Sequence, residues 1–325
     1  MGIRNDVFGL EQIYQLQIEG QWSTKGDVWN TPSPFTKALP FGYFGGGNTN
    51  GSTVDRIDYS SDTATASVKG PLSSARQSLA ATGNPSFGYF GGGAPSYSTV
   101  DRIDYSNDTA DAVTKGPLSV ARYGVGATGN TSFGYFGGGY PSVSTVDRID
   151  YSSDTGTAVA KGPLSAAKSY TAATGNSSFG YFGGGDPGNI STVDRIDYTN
   201  DTATASPKGP LSAGRRYLAA TGNQDFGYIG GGNGPVSTVD RIDYSSDTGT
   251  TPAKGPLNLG RIQLAATGNS SFGYFGGGHP AKSTVDRIDY SNDTATAVEK
   301  GPLSSARYVP AATGNASFGY FAGVV

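Results

Sequence analysis

The chain has 325 residues, a net charge of −3 and no cysteine. That charge excludes a basic nucleic-acid footprint, and the absence of thiols excludes disulfides and cysteine chemistry. With 35% hydrophobic residues and 51 glycines, the composition fits thin sheets packed through Ala, Gly, Tyr and Phe better than one thick core.

In chain order, the opening "MGIRNDVFGL" lacks an apolar stretch of the signal-peptide kind. No apolar run is long enough to cross a membrane. Neither secretion nor membrane insertion is therefore expected. Met1-Gly2 opens like a myristoylation site, but Asp6 stands where Ser or Thr is needed. Residues 10–26, "LEQIYQLQIEGQWSTKG", align without a gap with residues 54–70, "VDRIDYSSDTATASVKG". Tyr14, Leu16 and Ile18 alternate there as in a strand.

From residue 41 a segment "FGYFGGG" begins to recur, intact or nearly so, at 87, 133, 179, 226, 272 and 318. "VDRIDY" recurs with it at 54, 100, 146, 193, 239 and 285. A period of 46 or 47 residues signals a solenoid, a propeller or an array. The unit at 75–119 reads as four short strands. The first lies around Gln77–Ala81, followed by a turn "ATGN" in which Gly83 is free to take positive φ. The second is Phe87–Phe90, ended by three glycines and a loop. The third, Thr99–Tyr105, is rich in β-branched and aromatic residues. The fourth covers roughly Thr109–Thr114, and Pro117 in "KGPLS" bars the segment that follows from a central ladder. Four strands per repeat without sustained helical periodicity describes a propeller blade.

Seven copies of one segment face six of the other. Reading residues 10–26 as a divergent seventh copy of strands three and four balances the count. The expected fold is an all-β, single-domain, seven-bladed β-propeller over residues 1–325. Its closing blade would take strands three and four from about 7–26 and strands one and two from 306–325. Such closure protects strand edges that an open array exposes.

The chain holds one histidine, His279, and three glutamates, Glu11, Glu19 and Glu299. Three aspartates recur in every clear unit, two in "VDRID" and one in the turn after it. A residue repeated six times reads as a packing residue, so Arg56, Asp55 and Asp58 and their repeats are expected to form ion pairs within or between blades. Asp104 and Asp108 in "DYSND" suit a hairpin turn better than a calcium loop, which needs more oxygen ligands. The "GGG" copies lack the Lys-Ser/Thr of a phosphate loop. No enzyme, metal or cofactor is expected.

Two segments differ between units. One is the loop after the glycines, which carries Tyr97, Tyr140, Asp186, Asn189, His279 and Lys282. The other is the pair after the linking Arg or its equivalent, which carries Gln77, Tyr123, Tyr170, Arg216, Tyr217 and Tyr308. In a four-stranded meander both fall on one face, while the constant "ATGN" and "SSDT/SNDT" turns fall on the other. With strand one innermost, Gln77, Tyr123, Ser169, Arg216, Ile262 and Tyr308 are expected to ring a channel mouth. Tyr and Arg favour binding hot spots, so this face is the expected ligand surface.

The units resemble the kelch repeat: an apolar strand, a Gly-Gly pair, an aromatic near the end of the next strand and an Arg in the link, here Gly91-Gly92, Tyr105 and Arg122. The tryptophan of kelch strand four is missing from the six clear copies and occurs only as Trp22. "GYFGGG", Ser/Thr-rich turns and near-identical tandem units also resemble repeat proteins of tailed phages of marine cyanobacteria. That resemblance implies a virion or tail-associated location, a host-surface glycan or protein as ligand, and other virion proteins as neighbours. The alternatives are a purely structural virion component and a cytoplasmic kelch-like scaffold for protein partners.

Overall fold

A computed structural model describes residues 41–47, 51–315 and 318–322. The chain divides into a unit over 1–38, outside the described residues, and a unit from Leu39 onward. The second unit is built from six antiparallel sheets. One blade shows the pattern of all. Ala80–Gly83 is innermost and pairs with Phe87–Gly91, which pairs with Val100–Asp104, which pairs with Val113–Lys115. The register repeats from blade to blade: Tyr89 lies opposite Thr82 and Arg102, as Tyr135 lies opposite Thr128 and Arg148. In the blade that begins at Ala219–Gly222, Pro252 has no N–H to give. The outer segment there is held by a single bridge, Asp240 to Ala253, and by two backbone bonds, Arg241 N–H to the Pro252 carbonyl and Lys254 N–H to the Val239 carbonyl.

The propeller has six blades, not the seven expected from the sequence. The closing sheet takes its inner strand, Ala311–Asn315, from the C-terminal side. That strand pairs directly with Phe41–Gly45, followed by Val54–Asp58 and Ser67–Lys69. The first "FGYFGGG" copy therefore borrows an inner strand from the other end of the chain. The inner-strand sequence "AATG", or its "GATG" variant, occurs six times, ending at 311–314; that count, rather than the count of "FGYF", sets the number of blades. The expected closing role of residues 7–26 lies outside the described residues.

Chemistry at the seam repeats that of the other interfaces. Between neighbouring blades one turn aspartate accepts three donors. Asp154 takes the Tyr89 hydroxyl at 2.9 Å, Arg102 Nη1 at 2.8 Å and Lys115 Nζ at 3.2 Å. At the seam Asp62 takes Tyr274 at 3.0 Å, Arg287 at 2.7 Å and Lys300 at 3.2 Å. Arg102 also lies over the Phe87 ring, and Arg287 over Phe272. Stacked tyrosine pairs cross the same interfaces: Tyr89 on Tyr151, and at the seam Tyr274 on Tyr59.

A second aspartate set works inside each blade. Arg76 in the link donates to Asp101 and to the Gly92 and Thr99 carbonyls. At the seam Arg307 reaches Asp55 at 2.9 Å, fully buried, and Ser304 Oγ joins the same carboxylate. Arg56 and Asp55 form ion pairs as expected, but not with each other, and Asp58 serves the turn instead. Arg56 pairs with Asp108 of the next blade, Asp55 pairs with the linking Arg307, and Asp58 accepts from Ser60 N–H in the turn.

Strand "FGYFG" is buried on both faces because each blade is sandwiched by two others, so polar and apolar residues do not alternate there. Close approach explains its last glycine: a Cβ on Gly137 would sit 2.6 Å from Phe182 of the next blade. Three boundaries differ from expectation. The outer strand is Val113–Lys115, four residues later in its start than Thr109, because the turn after Tyr105 runs on through residues 108–112. The inner strand starts at Ala80, three residues later than predicted, because Gln77–Leu79 crosses the mouth of the ring instead. Gly83 is extended at the end of that strand; the turn is made by Asn84, whose side chain accepts from the Ser86 and Phe87 N–H groups.

Candidate binding site at the variable mouth

The links between blades deliver two residues each to one mouth of the ring. The second of each pair takes positive φ: Ser78 54°, Gly124 63°, Tyr170 52°, Tyr217 59°, Gln263 56° and Val309 52°. This left-handed conformation is uncommon outside glycine and unfavourable for a β-branched residue such as Val309. A closed collar of backbone hydrogen bonds accompanies it. Gly124 N–H donates to the Ser78 carbonyl at 2.8 Å, Tyr170 to Gly124 at 2.6 Å and Tyr217 to Tyr170 at 3.2 Å. Gln263 donates to Tyr217 at 3.0 Å, Val309 to Gln263 at 2.8 Å, and Ser78 to Val309 at 3.4 Å. Six links, one bond each, return to the start.

Above the collar is a cavity of about 400 Å³ lined by Gln77, Ser78, Ala94, Pro95, Tyr123, Tyr170, Tyr217, Gln263, Tyr308 and Val309. Below it, Leu79, Val125, Thr171, Leu218, Leu264 and Pro310 form an apolar layer around a further 60 Å³. The far mouth is lined by the "AATG" strand ends of all six blades and the turns after them, including Thr82, Thr128, Thr174, Thr221, Thr267 and Thr313, and holds about 350 Å³.

Of the residues singled out in the sequence, Gln77, Tyr123, Tyr170, Tyr217 and Tyr308 meet in the variable cavity. Four more stand beside it. Tyr140, exposed, pairs by a backbone bridge with Tyr123, and their rings lie 5.1 Å apart. Asp186 bridges to Ser169 and its carboxylate meets Arg216 at 2.9 Å. His279 bridges to Ile262 and lies edge-on to Tyr308 at 5.1 Å. Tyr97, Asn189 and Lys282 lie away from the cavity, at the far ends of their loops. The Tyr97 carbonyl accepts from Arg122 N–H in the link, Asn189 is exposed at positive φ, and Lys282 bridges to Arg307. Ser169 is fully buried, and Arg216 and Ile262 do not line the cavity, so three of the six expected mouth residues are replaced by their successors Tyr170, Tyr217 and Gln263. Gln263, Ser78 and Val309 were missed as site residues. Their variability was visible, but the left-handed turn that aims them at the mouth was not.

The cavity is asymmetric. Tyr123 and Tyr170 lie 6.1 Å apart edge-on, Tyr170 and Tyr217 lie 4.4 Å apart, and Tyr140 extends the arc 6.4 Å from Tyr170. Arg216 lies over Tyr217. Burial, and then the neighbouring Tyr217 and Tyr123, hold the Tyr170 hydroxyl well above the ordinary tyrosine range, so it stays a neutral donor. The links of Gln263, Tyr308 and Gln77 complete the ring around the cavity. No charged side chain lines the cavity among the described residues, and none of these residues form a group of three or more His, Cys, Asp or Glu suited to a metal ion. No helix among them is long and apolar enough to cross a membrane.

No family model matches the chain, and neither does any curated protein. Among solved structures it is similar to one titled "Structure of YjhT", with a TM-score of 0.57 and 12% identity, over 73% of this chain and 87% of that one. At that identity the likeness establishes the fold, a β-propeller, and nothing further.

Proposed function

We propose that the protein is a non-enzymatic recognition module of a phage particle, binding a host-surface glycan or protein through the variable mouth. One observation carries this reading: the two mouths of the same ring are built differently. The far mouth repeats "AATG" or "GATG" and a following Asn around the axis and varies just after them, as at Pro85, Thr131, Ser177 and Gln224. The near mouth gathers Gln, Tyr, Ser and Val from different blades over a collar that fixes their backbone. Unconstrained drift would not leave the far end so much more constant than the near one. The placement on a phage particle, and the kelch likeness, rest on the resemblance of the repeat units alone.

The test is a triple variant, Tyr123→Ala, Arg216→Ala, Tyr308→Ala. It is expected to keep its melting temperature within a few degrees and to lose attachment to host cells. Attachment that survives in a folded variant overturns the reading. Mass spectrometry of purified particles against cell fractions tests the location. The sixfold-repeated far mouth supports a second reading, a structural virion part held by that regular face. This alternative predicts a copy number that follows particle symmetry and no effect of the triple variant.

A further inference from the structure

We propose that the ligand of the variable cavity is the uncharged end of an oligosaccharide, seated among the tyrosines and the two glutamines. The inference rests on the recognition reading above and narrows it. Three features of the cavity select the chemistry. First, its walls hold no charged side chain among the described residues, and Asp186 and Arg216 beside it pair with each other at 2.9 Å. An acidic or basic group would lose its hydration there without a partner. Second, the backbone groups at the floor are spent on one another in the collar. Recognition therefore falls to side chains: the phenols of Tyr123, Tyr170, Tyr217 and Tyr308 and the amides of Gln77 and Gln263. These groups both donate and accept, which matches hydroxyls that do the same. Third, the cavity mixes the aromatic arc of Tyr123, Tyr170 and Tyr217 with the amides of Gln77 and Gln263, whose links flank that of Tyr308 along the collar. Rings interspersed with amides suit a pyranose with apolar ring faces and a polar rim. A volume of about 400 Å³ lies in the range of small-molecule sites and suits a chain terminus rather than a peptide loop.

The probe is an array of neutral and sialylated oligosaccharides, followed by titration of the best neutral hit. Binding is expected to favour neutral glycans and to be unchanged by added sodium chloride, since no ion pair is formed. Tyr123→Ala and Gln77→Ala should each weaken it about tenfold. Tyr123→Phe, which keeps the ring, should weaken it less than Tyr123→Ala, with equal melting temperatures showing that all three are folded. No glycan binding, or binding confined to acidic glycans and screened by salt, overturns the inference. A protein ligand lost on the triple variant also overturns it, while leaving the recognition reading intact. Glycan binding that survives every cavity substitution removes both.

Discussion

At the residue scale, the repeat supplies its own controls. Five links carry Arg where the third of the six aligned positions carries Lys168. Arg261 donates to Asp286 at 2.6 Å and to the Gly277 and Thr284 carbonyls at 3.0 and 2.9 Å. Lys168, equally buried, meets only Asp194, at 3.0 Å. A planar guanidinium serves several acceptors at fixed angles, and an ammonium does not. Lys168→Arg should therefore raise stability by about 1 kcal/mol, and Arg261→Lys should lower it by at least as much, both read from urea melts. The identity of these link residues was legible in the sequence, but their partners were not. An ion pair between a link and the third strand depends on how far the chain travels across the mouth, and no local pattern encodes that.

At the element scale, one turn aspartate holds each blade interface, and the titration of Asp154, Asp201 and Asp293 sets an acid limit. Burial pushes the carboxyls of Asp154, Asp201 and Asp293 up, but hydrogen bonds from Tyr and Lys and the charges of Arg outweigh it, leaving all three below the usual carboxylate range. A depressed folded value means stability that is present above the unfolded value, about pH 3.9, and lost as pH falls through the folded one. Asp55 and Asp286 act in the opposite direction. Burial outweighs Arg307 and Arg261 and holds them above their ordinary value, so their contribution grows as pH falls toward 3.9. Melting temperature should thus rise slightly on mild acidification and drop below about pH 4. Asp154→Asn should lower it at neutral pH and flatten the acid limb. An unchanged acid limb in that variant would remove Asp154 from the account. The four strands of each blade were legible because turn residues and β-branched runs mark them. Their offsets were not, since the Gln77–Leu79 crossing looks strand-like in sequence yet is shaped by the collar.

At the scale of the whole molecule, the difference between six blades and seven turns on a surplus strand. Phe318–Ala322 pairs with the inner strand Ala311–Asn315 in the register that Phe41–Gly45 uses: Thr313 lies opposite both Tyr320 and Tyr43, and Ala312 opposite both Phe321 and Phe44. Two near-identical segments thus claim one slot, and the local hairpin favours the C-terminal one. The seven-blade expectation assumed that each claimant had a slot of its own. Packing favours the N-terminal one. The last residue of this strand is glycine in the first six copies, and a Cβ there would meet the next blade's aromatic or Ile side chain at 2.6 to 2.8 Å, as at Gly91, Gly137, Gly183 and Gly230. The C-terminal copy has Ala322 at that position. Two residues on, Gly47 holds φ at 121° and donates its N–H to the Arg76 carbonyl at 3.1 Å. The C-terminal copy has Val324 there, and a β-branched residue is strained at that angle. Deleting residues 316–325 should therefore leave the melting temperature within a degree or two. Gly45→Ala with Gly47→Val, which gives the first copy the defects of the last, should cost about 2–4 kcal/mol in the deleted background and less when the C-terminal copy is present to take over the slot. If the deletion itself unfolds the ring, the C-terminal segment is the resident strand, and the glycine argument fails.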